Sequence, residues 1–166
     1  MRRSSREGME KPPDAYREVA LVQNEMAMKA HQELYSFDNS RYIMSCGNIL
    51  ESIESLAGGG VDRMHIAVDW EHALRVALWM PSLPPLFEVI TLLKRLGAAE
   101  HELAPFRSSA VNDLFPWLYY GKKFDILRRL CNAAKARAEK GAGSGRLQVI
   151  CHLITEDASR IVASSL

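Results

Sequence analysis

The chain has 166 residues, of which 48% are hydrophobic and 25% are charged, and this balance excludes a disordered or fibrous protein. Its 21 basic and 20 acidic residues leave a formal charge of +1, so the overall charge favours neither nucleic acid nor a membrane surface as a partner. A chain of this length buries most of its apolar surface as one domain. We expect a flexible basic arm at residues 1–13 and one domain at residues 14–166.

The first half of the chain shows the pattern of three amphipathic helices. Apolar residues recur at alternating spacings of four and three, which places them on one side of a helix. The predicted helices span residues 14–37, 40–57 and 62–80, and the third either begins at Asp62 or restarts at Asp69. The second shows the pattern most clearly, with Tyr42, Cys46, Ile49, Ile53 and Leu56 on one stripe.

The second half continues with helices separated by Pro and Gly. Ser82 is placed to cap a fourth helix, which is apolar on nearly every side up to Gly97 and is therefore predicted to be the most buried. A short helical piece is predicted at residues 98–104, and the fifth, sixth and seventh helices are predicted at residues 113–120, 122–140 and 146–163. A glycine-rich link at 141–145 favours an antiparallel hairpin of the last two helices.

These segments predict an all-α fold. Sustained alternation of apolar and polar residues, which is typical of half-buried strands, is not evident, although residues 147–154 are rich in β-branched side chains. We expect a single compact domain of six or seven helices, arranged as a helical bundle or as an irregular helical-hairpin array. The longest apolar stretch, residues 76–93, is interrupted by three prolines, which predicts no membrane insertion.

One stretch of the chain resembles a helical repeat. Residues 69–74, followed by residues 86–90 and by the Lys-Arg-Leu-Gly ending at 94–97, resemble the helical-hairpin pattern of pentatricopeptide and tetratricopeptide repeats. The resemblance covers one repeat length, and one unit is fewer than such solenoids need for stability. It therefore assigns no family.

The best candidates for catalysis lie in the third predicted helix, residues 62–80. His65, Asp69 and His72 share one face of that helix and offer two imidazoles and a carboxylate, which are ligands that divalent metals prefer. His65 and His72 would nevertheless lie about 10 Å apart along a helix axis, which strains a single site. We therefore expect intrahelical contacts there, and we expect no cofactor.

Two further features bear on chemistry and on the cellular compartment. His152 and Glu156 are one turn apart in the last predicted helix, a spacing typical of a surface contact. Three widely spaced cysteines favour buried thiols in an intracellular, reducing compartment over a disulfide framework. The Arg- and Ser-rich residues 1–8 leave import into an organelle as an alternative.

The strongest local charge lies in the sixth predicted helix, residues 122–140. Its cations and the two tyrosines before it form a candidate binding surface for a partner protein or for a nucleic acid: Tyr119, Tyr120, Lys122, Lys123, Arg128, Arg129 and Lys135. The acidic region at 46–72 would complement such a surface, within the fold or between subunits.

The absence of a convergent catalytic motif determines the functional expectation. We expect a non-catalytic structural or interaction subunit of a larger macromolecular assembly, with other protein subunits as partners. The first alternative is an RNA-binding helical module that uses residues 122–140. The second alternative is a metal-dependent enzyme built on residues 62–80.

Overall fold

The computed structural model describes residues 17–45, 47–157 and 159–165, and these residues form a mixed α/β fold. In chain order the elements are β1 (Glu18–Val22), α1 (Glu25–Tyr35), β2 (Tyr42–Met44), α2 (Ile49–Gly58), β3 (Arg63–Val68), α3 (Trp70–Leu78), α4 (Leu86–Arg95), α5 (Glu100–Leu103), α6 (Leu114–Tyr120), α7 (Phe124–Gly141), β4 (Gln148–Ile154) and β5 (Ile161–Ser164). The expectation of an all-α fold is therefore wrong.

The five strands form one sheet in the order β2-β1-β3-β4-β5. The first four of these pair in parallel, and β5 pairs antiparallel with β4 at one edge. In the register, Ala20 of β1 lies between Tyr42 of β2 and His65 of β3, and His65 pairs with Ile150 of β4. The parallel strands are connected through helices, as the geometry of parallel pairing requires.

The two faces of the sheet carry cores of unequal size. The larger core contains the apolar residues of α2, α3, α4, α6 and α7, whereas the smaller cluster contains alanines of α1. Residues alternate between the two along a strand: Val19 and Leu21 of β1 belong to the larger core, and Ala20 and Val22 belong to the smaller cluster. Among the described elements, α1 is thus the main helix on its face.

Four of the predicted helices contain strands. Within the described residues, the segments predicted at 14–37, 40–57 and 62–80 each contain a strand followed by a helix, and the segment predicted at 146–163 contains β4 and most of β5. Parallel strands are buried on both faces and have nearly continuous apolar sequences, so they lack the alternation that identifies a half-buried strand. In each of the first three segments, apolar residues of the strand and of the following helix happen to lie three or four positions apart. This spacing made the strand resemble the first turns of the helix.

The other long helices are confirmed. The structure has α4, α6 and α7 at the positions predicted for the fourth, fifth and sixth helices. The helical hairpin predicted for the last two segments is wrong, because the strand β4 follows α7. The segment that resembles a helical repeat contributes α3 and α4 to an α/β core. The arm at residues 1–13 and Cys46 lie outside the described residues. None of the described helices combines the length and the apolar character needed to cross a membrane.

Candidate metal centre

Three buried histidines from distant parts of the chain converge on the face of the sheet that α1 covers. His31 lies on α1, His65 on β3 and His152 on β4, and their exposed fractions are 0%, 3% and 0%. One nitrogen of each ring faces the other two rings, and the three nitrogens all lie within 4.8 Å of one another. Such a convergence of imidazole nitrogens is the ligand arrangement of a transition-metal site.

The hydrogen-bonding capacity of the inner nitrogens does not match their contacts. His65 Nδ1 lies 3.0 Å from His31 Nε2 and 3.0 Å from His152 Nε2. An imidazole nitrogen carries either one hydrogen or one lone pair, so His65 Nδ1 makes only one well-directed hydrogen bond. A cation at the centre of the triangle would instead accept a lone pair from all three nitrogens.

The outer nitrogen of each ring faces an oxygen atom. Tyr42 Oη lies 2.6 Å from His31 Nδ1, and Ser164 Oγ lies 2.7 Å from His152 Nδ1. Glu18 Oε2 lies 3.8 Å from His65 Nε2. Oxygen atoms that accept the outer N–H of a histidine hold the ring so that the other nitrogen presents its lone pair inward, as partners of metal-binding histidines do.

Burial keeps the cluster uncharged. Burial, with a smaller contribution from the nearby His65, lowers the pKa of His31 to about 3. Burial and the two neighbouring histidines lower the pKa of His152 to about 3, and burial lowers the pKa of His65 although Glu18 opposes this. The three rings are therefore neutral at pH 7, which is the protonation state that binds a metal. Burial also raises the pKa of Tyr42 to about 12, so its hydroxyl stays protonated.

Small side chains make room for the cluster. Ala20 separates Tyr42 from His65 in the register, and Ala67 pairs with His152. On α1, Ala27 and Ala30 are buried in the cluster that packs on this face of the sheet. Alanine at these positions lets the helix approach the sheet closely, so that the His31 ring reaches the histidines of β3 and β4.

Two aromatic rings cover the histidines. The Tyr35 ring stacks on His31 with 4.6 Å between centroids, and its centroid lies 4.7 Å from that of His65 and 5.1 Å from that of His152. Ser36 then adopts a left-handed conformation with φ 53°, and the following Phe37 ring lies 5.0 Å from His65. Tyr35 is 39% exposed, so this aromatic cover lies between the cluster and solvent.

A cavity beside His65 offers a second approach. It has a volume of about 190 Å³, and it is lined by Glu18, Arg63, Met64, His65, Gln148 and Ile150. Ile150 is the strand partner of His65 and lies two residues before His152, yet 36% of it is exposed. The sheet face next to the cluster is therefore open to a small molecule at this position.

The sequence-predicted metal residues separate in the structure. His65 belongs to the cluster, whereas Asp69 caps α3, where its Oδ1 accepts a hydrogen bond from the His72 amide at 3.0 Å and lies 2.8 Å from His72 Nδ1. The four residues from His65 to Asp69 run along a strand and span about 13 Å. Asp69 and His72 therefore lie too far away to bind the same metal ion as His65. The expected contact between Asp69 and His72 is present, but it lies in the first turn of α3 and excludes His65.

His31 and His152 have no local sequence signal. The surface contact predicted between His152 and Glu156 is wrong, because His152 is fully buried on β4 and Glu156 lies in the turn beyond that strand. His31 is a lone histidine in its helix, at no motif spacing from the other two. Only the parallel pairing of β3 with β4 and the packing of α1 bring the three side chains together.

Much of the basic surface predicted at residues 119–135 is engaged in contacts within the chain. Lys123 forms an ion pair with Glu102, Lys135 forms one with Glu139, and Arg129 donates a hydrogen bond to the Leu96 carbonyl at 2.9 Å. Tyr119 stacks on Phe115 and accepts a hydrogen bond from Arg160. The remaining members of the predicted surface, Tyr120, Lys122 and Arg128, are exposed.

Comparisons with known proteins do not identify this site. No protein-family model, curated protein or solved structure matches the chain. The geometry of the histidine cluster is therefore the basis for a functional proposal.

Proposed function

We propose that this protein is a mononuclear zinc-dependent enzyme, with His31, His65 and His152 as the protein ligands of the metal. The observation that carries the proposal is the convergence of three buried imidazole nitrogens within 4.8 Å. The outer nitrogens of His31 and His152 each lie within hydrogen-bond distance of a hydroxyl oxygen. This proposal retains the metal-dependent enzyme that the sequence offered as its second alternative, but it changes the ligands. The site is built from α1, β3 and β4 and not from a single helix at 62–80.

The distances favour zinc at a tetrahedral site. Zinc binds histidine nitrogens at about 2.0 Å, which separates two ligands of a tetrahedron by roughly 3.3 Å. Two of the three pairs already lie at 3.0 Å, and the third pair lies within 4.8 Å. To reach the same separation, the third pair would have to shorten by up to about 1.5 Å.

The number of ligands favours catalysis over a structural role. Structural zinc sites have four protein ligands, whereas catalytic sites have three and leave one position for water or substrate. Among the described residues, no fourth His, Cys, Asp or Glu joins the three histidines. Zinc in such a site lowers the pKa of a bound water to about 7 and supplies a nucleophile for hydrolysis or hydration. We propose that a small polar molecule approaches the cluster through the cavity of about 190 Å³ that His65 lines.

Metal analysis of the purified protein tests the ligand assignment. We expect one equivalent of zinc per chain, and we expect His65→Ala and His152→Ala to lose it while the protein stays folded. His72→Ala and His101→Ala are the matched controls, because both histidines lie outside the cluster, and these variants should retain the metal. A wild-type protein that binds no zinc, cobalt or nickel, or a His65→Ala variant that retains a full equivalent, would disprove the assignment.

Activity measurements test the catalytic role separately. Zinc-loaded protein should hydrolyse a small activated ester such as p-nitrophenyl acetate faster than the metal-free protein, and cobalt substitution should restore the rate. The controls His72→Ala and His101→Ala should match the wild type. A protein that binds zinc through the three histidines but accelerates no ester hydrolysis or carbonyl hydration would have a structural metal, and the enzyme proposal would fail.

An interaction subunit is a second candidate function, and other protein subunits are the partners that we propose for it. A groove between α4 and α7, described below, favours this candidate. RNA is the alternative partner of α7, and it is supported by the exposed Lys122, Arg128 and Tyr120. Replacing Arg128, Arg129 and Lys135 together by Ala should reduce both the affinity and the salt dependence of RNA binding if RNA is the partner. An intracellular, reducing compartment stays a prediction.

A further inference from the structure

The packing of α3, α4 and α7 leaves an open groove on the outside of the larger core. Its volume is about 300 Å³, and its floor consists of small and aliphatic side chains: Ala77, Leu92, Leu96, Ala133 and Ala136. Ala133 and Ala136 are three residues apart on α7 and therefore share one face of that helix. Their small side chains leave the backbone of α7 accessible to a close neighbour.

Cations form the rim of this groove. Arg95 of α4 and Arg137 and Lys140 of α7 line it, and none of the described residues that line it is acidic. The Arg137 guanidinium lies 5.0 Å from the centre of the Trp79 ring, which holds it in place by a cation–π contact. Arg95 and Lys140 are exposed, so their positive charges are available to a molecule that enters the groove.

We propose that this groove binds an acidic amphipathic helix of a partner protein. An apolar floor between two helices accommodates the apolar face of a third helix, and the anionic residues that flank that face would pair with the three cations of the rim. The floor has aliphatic side chains and no exposed ring on which a nucleic-acid base could stack, so a helix suits it better than single-stranded RNA.

The groove is independent of the histidine cluster. The helices α3, α4 and α7 contribute to the larger core, whereas the three histidines lie on the opposite face of the sheet, under α1. A partner in the groove would leave the approach beside His65 open. Binding in the groove can therefore be measured without altering the proposed metal site.

A synthetic peptide tests the proposal on the full chain. The probe is a fluorescent sixteen-residue helix that has Leu at positions spaced by three and four and Glu on both flanks, and its affinity is measured by anisotropy. We expect Arg95→Glu combined with Lys140→Glu to weaken binding by at least about tenfold, because two attractive charge pairs become repulsive. Lys29→Glu is the matched control, because Lys29 is an exposed cation of α1 on the opposite face of the sheet, and we expect it to change the affinity by less than about twofold.

A second variant tests the floor. Ala136→Trp fills the groove at an exposed position, so it should abolish peptide binding while the thermal unfolding midpoint stays close to the wild-type value. Any of four results would overturn the proposal: no peptide binding up to about 1 mM, equal binding of a scrambled peptide of the same composition, equal weakening by Lys29→Glu, or tighter binding of a single-stranded RNA that the same double charge reversal abolishes.

Discussion

The Nδ1 atom of His65 lies 3.0 Å from the Nε2 atom of His152, although 87 residues separate the two positions. The parallel register explains this, because His65 pairs with Ile150 and His152 pairs with Ala67, so the histidines occupy diagonal positions on one face. A slip of one residue between β3 and β4 would turn one histidine to the other face of the sheet. The proposed centre therefore depends on the register as much as on the ligands.

The hydroxyl groups behind the histidines should affect metal affinity. Removing the oxygen with Tyr42→Phe or Ser164→Ala leaves the three ligands in place but removes the contact that orients the ring of His31 or His152. We expect each variant to bind zinc about 10 to 100 times more weakly, as measured by competition with a chromophoric chelator. The matched controls Tyr120→Phe and Ser52→Ala, which lie away from the cluster, should bind as the wild type does. Unchanged affinity in both test variants would mean that these oxygens do not support a metal site.

The metal-free protein should lose stability as the pH falls below neutrality. The pKa values of His31 and His152 are about 3 in the folded protein and 6.5 in the unfolded chain, so the unfolded chain binds more protons between these values. Their contribution to stability is complete above pH 6.5 and decreases as the pH falls toward 3, by up to about 1.4 kcal/mol per pH unit for each histidine. Urea unfolding of the metal-free protein between pH 7.5 and 4.5 measures this, and a His31→Gln variant should show a shallower slope. A midpoint that does not change with pH would contradict the prediction.

Leu93 should be a major contributor to the larger core. Its side chain is fully buried on α4, so Leu93→Ala removes apolar contacts and leaves a cavity. We expect a loss of about 2 to 5 kcal/mol in the free energy of unfolding. The exposed Thr91 of the same helix is the matched control, and Thr91→Ala should change stability by less than about 1 kcal/mol. Equal denaturation midpoints for Leu93→Ala and the wild type would show that α4 is peripheral.

A glycine at the end of α7 should be sensitive to substitution. A Cβ atom at Gly141 would overlap the indole ring of Trp79, and a ring that packs against the core moves only with its surroundings. We expect Gly141→Ala to destabilise the protein by about 1 to 3 kcal/mol. Gly58, at the end of α2, has no neighbour near its Cβ position, so Gly58→Ala should be neutral or should stabilise by up to about 1 kcal/mol. If calorimetry finds the same melting temperature for both variants, Trp79 does not restrict this position.

The helices that could be predicted from the sequence are those with strong local signals. The fourth predicted helix has prolines before its first turn and a glycine after its end, and α7 has a long periodic stripe. The strands lacked such signals. Ala20 and Val22 face one core and Val19 and Leu21 face the other, so β1 is apolar at every position after Glu18 and resembles part of a helix.

The error in secondary structure also concealed the candidate site. On a helix, His65 shares a face with Asp69 and His72, whereas on a strand its neighbours on the same face are Arg63 and Ala67. His65 therefore belongs to the proposed centre, but Asp69 and His72, its predicted partners, do not. His31 and His152 could not be found by local spacing, because only the strand pairing and the packing of α1 bring them to His65.

The origin of the three ligands on α1, β3 and β4 has a consequence for folding kinetics. The proposed centre exists only after β4 has paired with β3, across a long crossover, and after α1 has packed on the sheet. Contacts between residues so distant in the sequence form slowly, and we expect them to form late in folding. A transition state without the complete centre gains no stability from zinc, so zinc should slow unfolding and leave the folding rate nearly unchanged. A bound metal would then extend the lifetime of the folded protein without helping the chain to fold.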